Sequence, residues 1–149
     1  MPDTTQLDIA LLTQAVGSIG MFGAIWLVQL AHYPLQIFVD REQFIEYQQA
    51  HMRRITYVVG PLMLLEVAAA AWLLFLDMPA PGPLLAWIGM GLVFVLWIST
   101  LVLQVPCHWK LEQGWDEPAY RRLVATNWLR TAAWTGRAVI AVWMLLLYG

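Results

Sequence analysis

The sequence predicts an all-α integral membrane protein, a four-helix bundle in up-down-up-down order, and three observations predict it. Of 149 residues, 60% are hydrophobic and only 12% charged, about half the charged share of a soluble domain. Four apolar runs, Ile9 to Ala31, Ile55 to Leu76, Leu84 to Leu103 and Ala125 to Leu147, each supply the roughly 20 residues that cross a hydrocarbon core. The eight basic residues (Arg41, Arg53, Arg54, Lys110, Arg121, Arg122, Arg130 and Arg137) are confined to the connections between spans one and two and between spans three and four, or to the half of span four that follows. The positive-inside rule then places both connections in the cytoplasm and both termini outside. Connections this short make residues 1–149 a single four-helix domain.

Span one reads as a retained span, because Met1 to Asp8 carries no lysine or arginine and no small-residue cleavage site follows. Gln14, Ser18, Gln29 and His32 fall within about 60° of one another at the α-helical turn angle, forming one polar stripe. Gly20 and Ala24 form a small-xxx-small pair that lets a neighbouring helix approach. Pro34 is expected to end or kink this helix. Asp40 to Gln43 reads as a capping box, opening a long helix over about 41–76 that starts in the cytoplasm and carries Pro61 as a candidate kink. Glu66 lies near the middle of its apolar run.

Asp77 to Pro83, with three prolines and a glycine, is a tight outer turn. Span three closes on Thr100, Gln104 and His108, spaced by four and so near one helical face. Asp116 is placed to cap the last helix with Pro118 in its first turn. That helix, over about 117–148, also extends into the cytoplasm, and Asn127, Arg130, Thr131, Trp134 and Arg137 share one of its faces. Most tryptophans fall at the two interfaces, as an aromatic belt.

The single cysteine, Cys107, rules out an internal disulfide and a cysteine-based zinc site, and a net charge of −2 gives no nucleic-acid signal. Up-down order brings His32, His51 and His108 to the cytoplasmic side, with Gln29, Tyr47, Gln104, Asn127 and Arg130 as pocket residues. Three histidines from three helices are a ligand set for zinc, copper or non-haem iron, and two on facing helices are axial ligands for a haem. Glu46, Glu112 and Asp116 are close enough in sequence to complete such a site. The competing reading is ordinary hydrogen bonding at the interface. Arg130 and Arg137, one nearly above the other on their helix, also suit an anionic ligand such as a carboxylate, a quinone oxygen or a lipid head, with a structural pairing to Glu66 favoured for Arg137. Glu66 and Arg137 sit at matching depth, and an intramembrane charge needs a partner, so the two are expected to pair with help from Gln14 or Ser18.

Gln29-xx-His32-Tyr-Pro34, His51-xx-Arg54, Pro61-x-Met63-xx-Glu66, Gln104-Val-Pro-x-His108 and Asn127-Trp-x-Arg130-Thr131 resemble a family of small bacterial four-span membrane proteins over nearly the whole chain. That resemblance implies the bacterial inner (cytoplasmic) membrane and brings no activity with it. The layout is also distantly similar to the anthrone-oxygenase-like membrane proteins, a likeness of size and span order that implies an oxygenase and no catalytic residue. Three function classes follow. The first is a metal- or haem-binding protein with redox or oxygenase chemistry on a hydrophobic substrate. The second is a non-catalytic subunit of a larger membrane complex or homo-oligomer, and the third is a carrier for a small anionic or apolar ligand.

Overall fold

Caps and prolines set where each span begins and stops. The computed structural model describes residues 4–149, and among these every regular element is helical. Four helices are long and apolar enough to cross a membrane: Thr5–Phe38, Phe44–Leu73, Gly82–Leu111 and Glu117–Tyr148, here called spans one to four. The shortest has 30 residues, which at the α-helical rise reach about 45 Å, well beyond the roughly 30 Å of hydrocarbon. The chain is therefore a multi-pass membrane protein. The end of the bundle bearing His32, His51 and His108 is called the histidine end below.

Asp116 caps span four, accepting from the backbone N–H of Ala119 at 2.7 Å, with Pro118 in the first turn. The preceding Gly114 has φ +144°, a conformation that disfavours any side chain. Span two starts differently from the sequence reading. Asp40 accepts from the N–H of Glu42 at 3.0 Å and closes a turn over 41–43, so the helix begins only at Phe44. Gln43 then takes the N-cap position without a side-chain hydrogen bond. A short acidic side chain satisfies its own downstream amide more readily than a distant helix.

Nor does Pro34 end span one. A π turn over Val28–His32, in which the N–H of Tyr33 reaches the carbonyl of Val28, precedes it, and the helix then continues through Tyr33–Leu35 and Gln36–Phe38. Proline has no N–H to give, and in a regular α-helix its ring presses on the carbonyl four residues back. The wider turn accommodates one extra residue there. Span three repeats the device: a π turn over Thr100–Gln104, with the N–H of Val105 on Thr100, precedes Pro106 and carries the helix on to Leu111. In both spans the proline stands two residues after the π turn. Pro61 remains inside the α-helix of span two.

Span one packs closely on spans two and four, and span three on span four, while spans two and three touch lightly. The interior alternates apolar and polar layers along the bundle axis. Ala10, Leu11, Leu73 and Met144 fill the end nearer the termini. Gln14, Ser18, Glu66 and Arg137, all fully buried, form the first polar layer. Met21, Ile25, Leu96 and Trp134 form an apolar middle. Gln29, Gln104, Asn127 and Arg130 make a second polar layer, and Phe44, Leu111 and Leu123 close the histidine end. The outward faces carry exposed apolar side chains such as Leu12, Val16, Phe75 and Leu146, which suit lipid and not water.

Candidate ligand-binding site

The two polar layers differ in their charge balance. In the first, the Nε of Arg137 donates to Glu66 Oε1 and its Nη2 to Gln14 Oε1 (2.6 Å), while the Ser18 hydroxyl lies 2.9 Å from each Glu66 oxygen. Two glycines make room. A Cβ at Gly17 would stand 3.0 Å from Glu66 Oε2, and one at Gly89 would overlap the Arg137 guanidinium. This layer pairs its charges.

The second layer holds a cation with no carboxylate. Arg130 is buried, and its Nη1 donates to Asn127 Oδ1 at 3.1 Å. Asn127 in turn donates to Gln29 Oε1 at 2.8 Å, and Gln29 reaches the Val124 carbonyl at 3.4 Å. Among the described residues the ion pairs are Arg137–Glu66 and the exposed Arg121–Glu117, so neither involves Arg130. The Nε of Arg130 is buried without a hydrogen-bond partner.

Arg130 lines a cavity of about 210 Å³ to which all four spans contribute. Span one supplies Met21, Ile25, Val28 and Tyr33, span two His51, Ile55, Val59 and Gly60, and span three Thr100, Gln104, Val105 and His108. The π turns help to place its polar wall, since Tyr33 follows the first and Thr100 and Gln104 belong to the second. The Oε1 of Gln104 is buried without a partner, while its amide nitrogen donates to Thr126 at 3.0 Å. The cavity lies where spans two and three pack least, and Thr56, exposed on the outer surface, belongs to its lining. It is thus apolar along Ile55, Val59 and Gly60 of span two, and polar where His51, Gln104, His108 and Arg130 line it.

The three histidines come together, but not equally. His32 and His51 stack with centroids 4.0 Å apart, and the rings of His51 and His108 are 6.3 Å apart. Both ring nitrogens of His108 are engaged, Nδ1 with the Gln48 amide nitrogen at 3.0 Å and Nε2 with the Tyr33 hydroxyl at 3.3 Å. As placed, the amide N–H can only donate, so Nδ1 accepts and Nε2 carries the proton toward Tyr33. His32 Nε2 lies 3.3 Å from the Gln36 amide and 3.4 Å from the Tyr47 hydroxyl. His51, held by ring stacking, has no hydrogen bond among the described residues, although it lines the cavity. Among those residues no three His, Cys, Asp or Glu side chains are grouped to hold a metal ion.

Of the residues singled out from the sequence, Ala24, His51, Thr100, Gln104, His108 and Arg130 line the cavity. Gln29 and Asn127 stand behind Arg130 and fix its guanidinium, and Tyr47 stacks on His32 outside the lining. Tyr33 and Gln48 are functional candidates that the sequence reading passed over. The signal for Tyr33 was its place between His32 and Pro34, and for Gln48 its spacing three residues before His51. No family model, no curated protein and no solved structure matches the chain.

Proposed function

We propose that this protein binds a small amphipathic molecule inside the membrane, with the ligand's polar head at Arg130 and its apolar part toward the gap between spans two and three. The observation that carries this reading is the buried, carboxylate-free guanidinium in the wall of a cavity. A buried cation without a counter-ion costs several kcal/mol, so a fold that keeps one beside open space gains from a ligand that neutralises it. The same wall adds the His51 imidazole, which has no hydrogen bond among the described residues, and Gln104 Oε1, a buried acceptor. The test is thermal unfolding in mild detergent with and without anionic amphiphiles. The wild type should be stabilised and Arg130→Met should not. Equal stabilisation of both would remove Arg130 from the site.

A second reading starts from the His32–His51 stack and the His108 ring beside His51, which among the described residues are not grouped as a metal site and would have to move to close on an ion. Here His32, His51 and His108 hold a zinc, copper or iron ion, which would supply Lewis-acid or redox chemistry to a hydrophobic ligand beside it. It requires His108 to release Gln48 or Tyr33. Elemental analysis separates the two, because a stoichiometric metal lost in the His32/His51/His108 triple alanine variant supports the second reading, and unchanged metal content sinks it. In both readings we place the histidine end in the cytoplasm, where the basic residues point.

A further inference from the structure

We infer that the ligand is a single-chain monocarboxylate, a fatty-acid-like anion, with its carboxylate on one edge of the Arg130 guanidinium and its chain leaving the protein between spans two and three. This rests on the ligand-binding reading above and names the class of molecule.

Three observations narrow the chemistry. The first is charge. Among the described residues Arg137 is paired with Glu66 while buried Arg130 has no carboxylate, and one negative charge would balance it. A neutral head such as a quinone leaves the charge standing, and a dianionic phosphate overshoots it. The second is the shape of the donor edge. Arg130 Nη1 is held by Asn127, Nε has no partner, and Nη2 makes no hydrogen bond among the described residues. Nε and Nη2 together form one side of the guanidinium fork, whose two parallel N–H groups match the two oxygens of a planar carboxylate. The Gln29–Asn127 chain behind fixes the plane of that fork before any ligand arrives.

The third observation is size and exit. A cavity of about 210 Å³ is smaller than the roughly 300–1,000 Å³ of sites that engulf a drug-sized ligand. It holds a head group and the start of one chain, and the rest must lie elsewhere. Ile55, Val59, Gly60 and Val105 line the way out, where spans two and three are least packed. A Cβ at Gly60 would meet only Thr56 Cγ2, at 3.9 Å, so this glycine leaves open space where a larger side chain would stand in the path.

The experiment uses the full chain in mild detergent and measures equilibrium binding of radiolabelled palmitate, with methyl palmitate, hexadecanol, dodecyl phosphate, decylubiquinone and acetate as competitors. Palmitate should bind once per chain, at least tenfold tighter than its methyl ester or the alcohol. Acetate, lacking a chain, should not compete. Arg130→Lys, which keeps the charge and removes the fork, should lower the preference for palmitate over its ester to threefold or less, while hexadecanol binding stays the same. Gly60→Phe should weaken palmitate at least fivefold. Far-ultraviolet circular dichroism matching the wild type shows that each variant is folded. An ester that binds as tightly as the acid, or a preference that survives Arg130→Lys, overturns the carboxylate. Undiminished palmitate binding in a folded Gly60→Phe overturns the exit path. If the phosphate or the quinone binds in an Arg130-dependent way and palmitate does not, the carboxylate falls while the Arg130 site stands. If no probe depends on Arg130, both fall.

Discussion

Two buried arginines a helical two turns apart show how the same residue type serves opposite ends. Arg137 has a carboxylate, an amide oxygen and space cleared by Gly89. Arg130 has an amide oxygen and a cavity. Breaking a buried pair strands the surviving charge, so Arg137→Gln should cost about 3–5 kcal/mol and Glu66→Gln a similar amount. The double variant should lose less than the sum, as a thermal double-mutant cycle in detergent will read, and additive losses would show no interaction. Gly89→Ala drives a methyl group into the Arg137 guanidinium and should destabilise by about 1–3 kcal/mol through overpacking. Unchanged melting would show that the arginine has room to move. The pair itself is legible in the sequence, because the positions of Glu66 and Arg137 in their apolar runs give matching depth. Gly89 is not, since nothing in the pattern distinguishes it from the neighbouring Gly91, beside which an added Cβ would meet nothing.

At the scale of the element, the two π turns shape the site. Each inserts a residue into its helix, and each precedes a proline by the same offset. Regular 3.6-residue spacing therefore loses its register beyond Val28 and Thr100, which is why Tyr33 escaped the polar stripe drawn through Gln29 and His32. The sequence carried the cue in the repeated proline, but a proline alone reads as a stop or a kink. Because the π turn has already relieved the ring, Pro106→Ala should change stability by no more than about 1 kcal/mol, far less than the roughly 3 kcal/mol of an unrelieved helical proline. The same change lets span three revert to regular α-helix and turn Gln104 and His108 relative to each other, so ligand binding should fall several-fold. Binding equal to wild type would show that the π turn does not set the cavity wall. The Asp40 region is the smaller example. The residues of a capping box were present, and the acidic side chain closed a turn of its own instead.

For the whole molecule, the helical class and the four spans were readable from composition and apolar run length alone, because lipid imposes both. The histidine end was readable from span order. The cavity was not, since its volume comes from how loosely spans two and three pack, and periodicity reports faces without reporting gaps. Charge asymmetry predicts an orientation with both termini outside. In a Cys107→Ser background, single cysteines at Thr4 and Gln113 should label oppositely in intact cells, Thr4 from outside. Labelling of Gln113 alone from outside would invert the bundle.

In the proposed site, Arg130 keeps a ligand as its counter-ion inside the membrane. Native mass spectrometry of the full chain, extracted in mild detergent without added ligand, tests it most directly. A small-molecule adduct, one per chain, is expected on the wild type and on Gln113→Cys, and is lost from Arg130→Met. An adduct of the same mass and occupancy on Arg130→Met, or a wild-type chain that carries none and gains none when anionic amphiphiles are supplied, would contradict it.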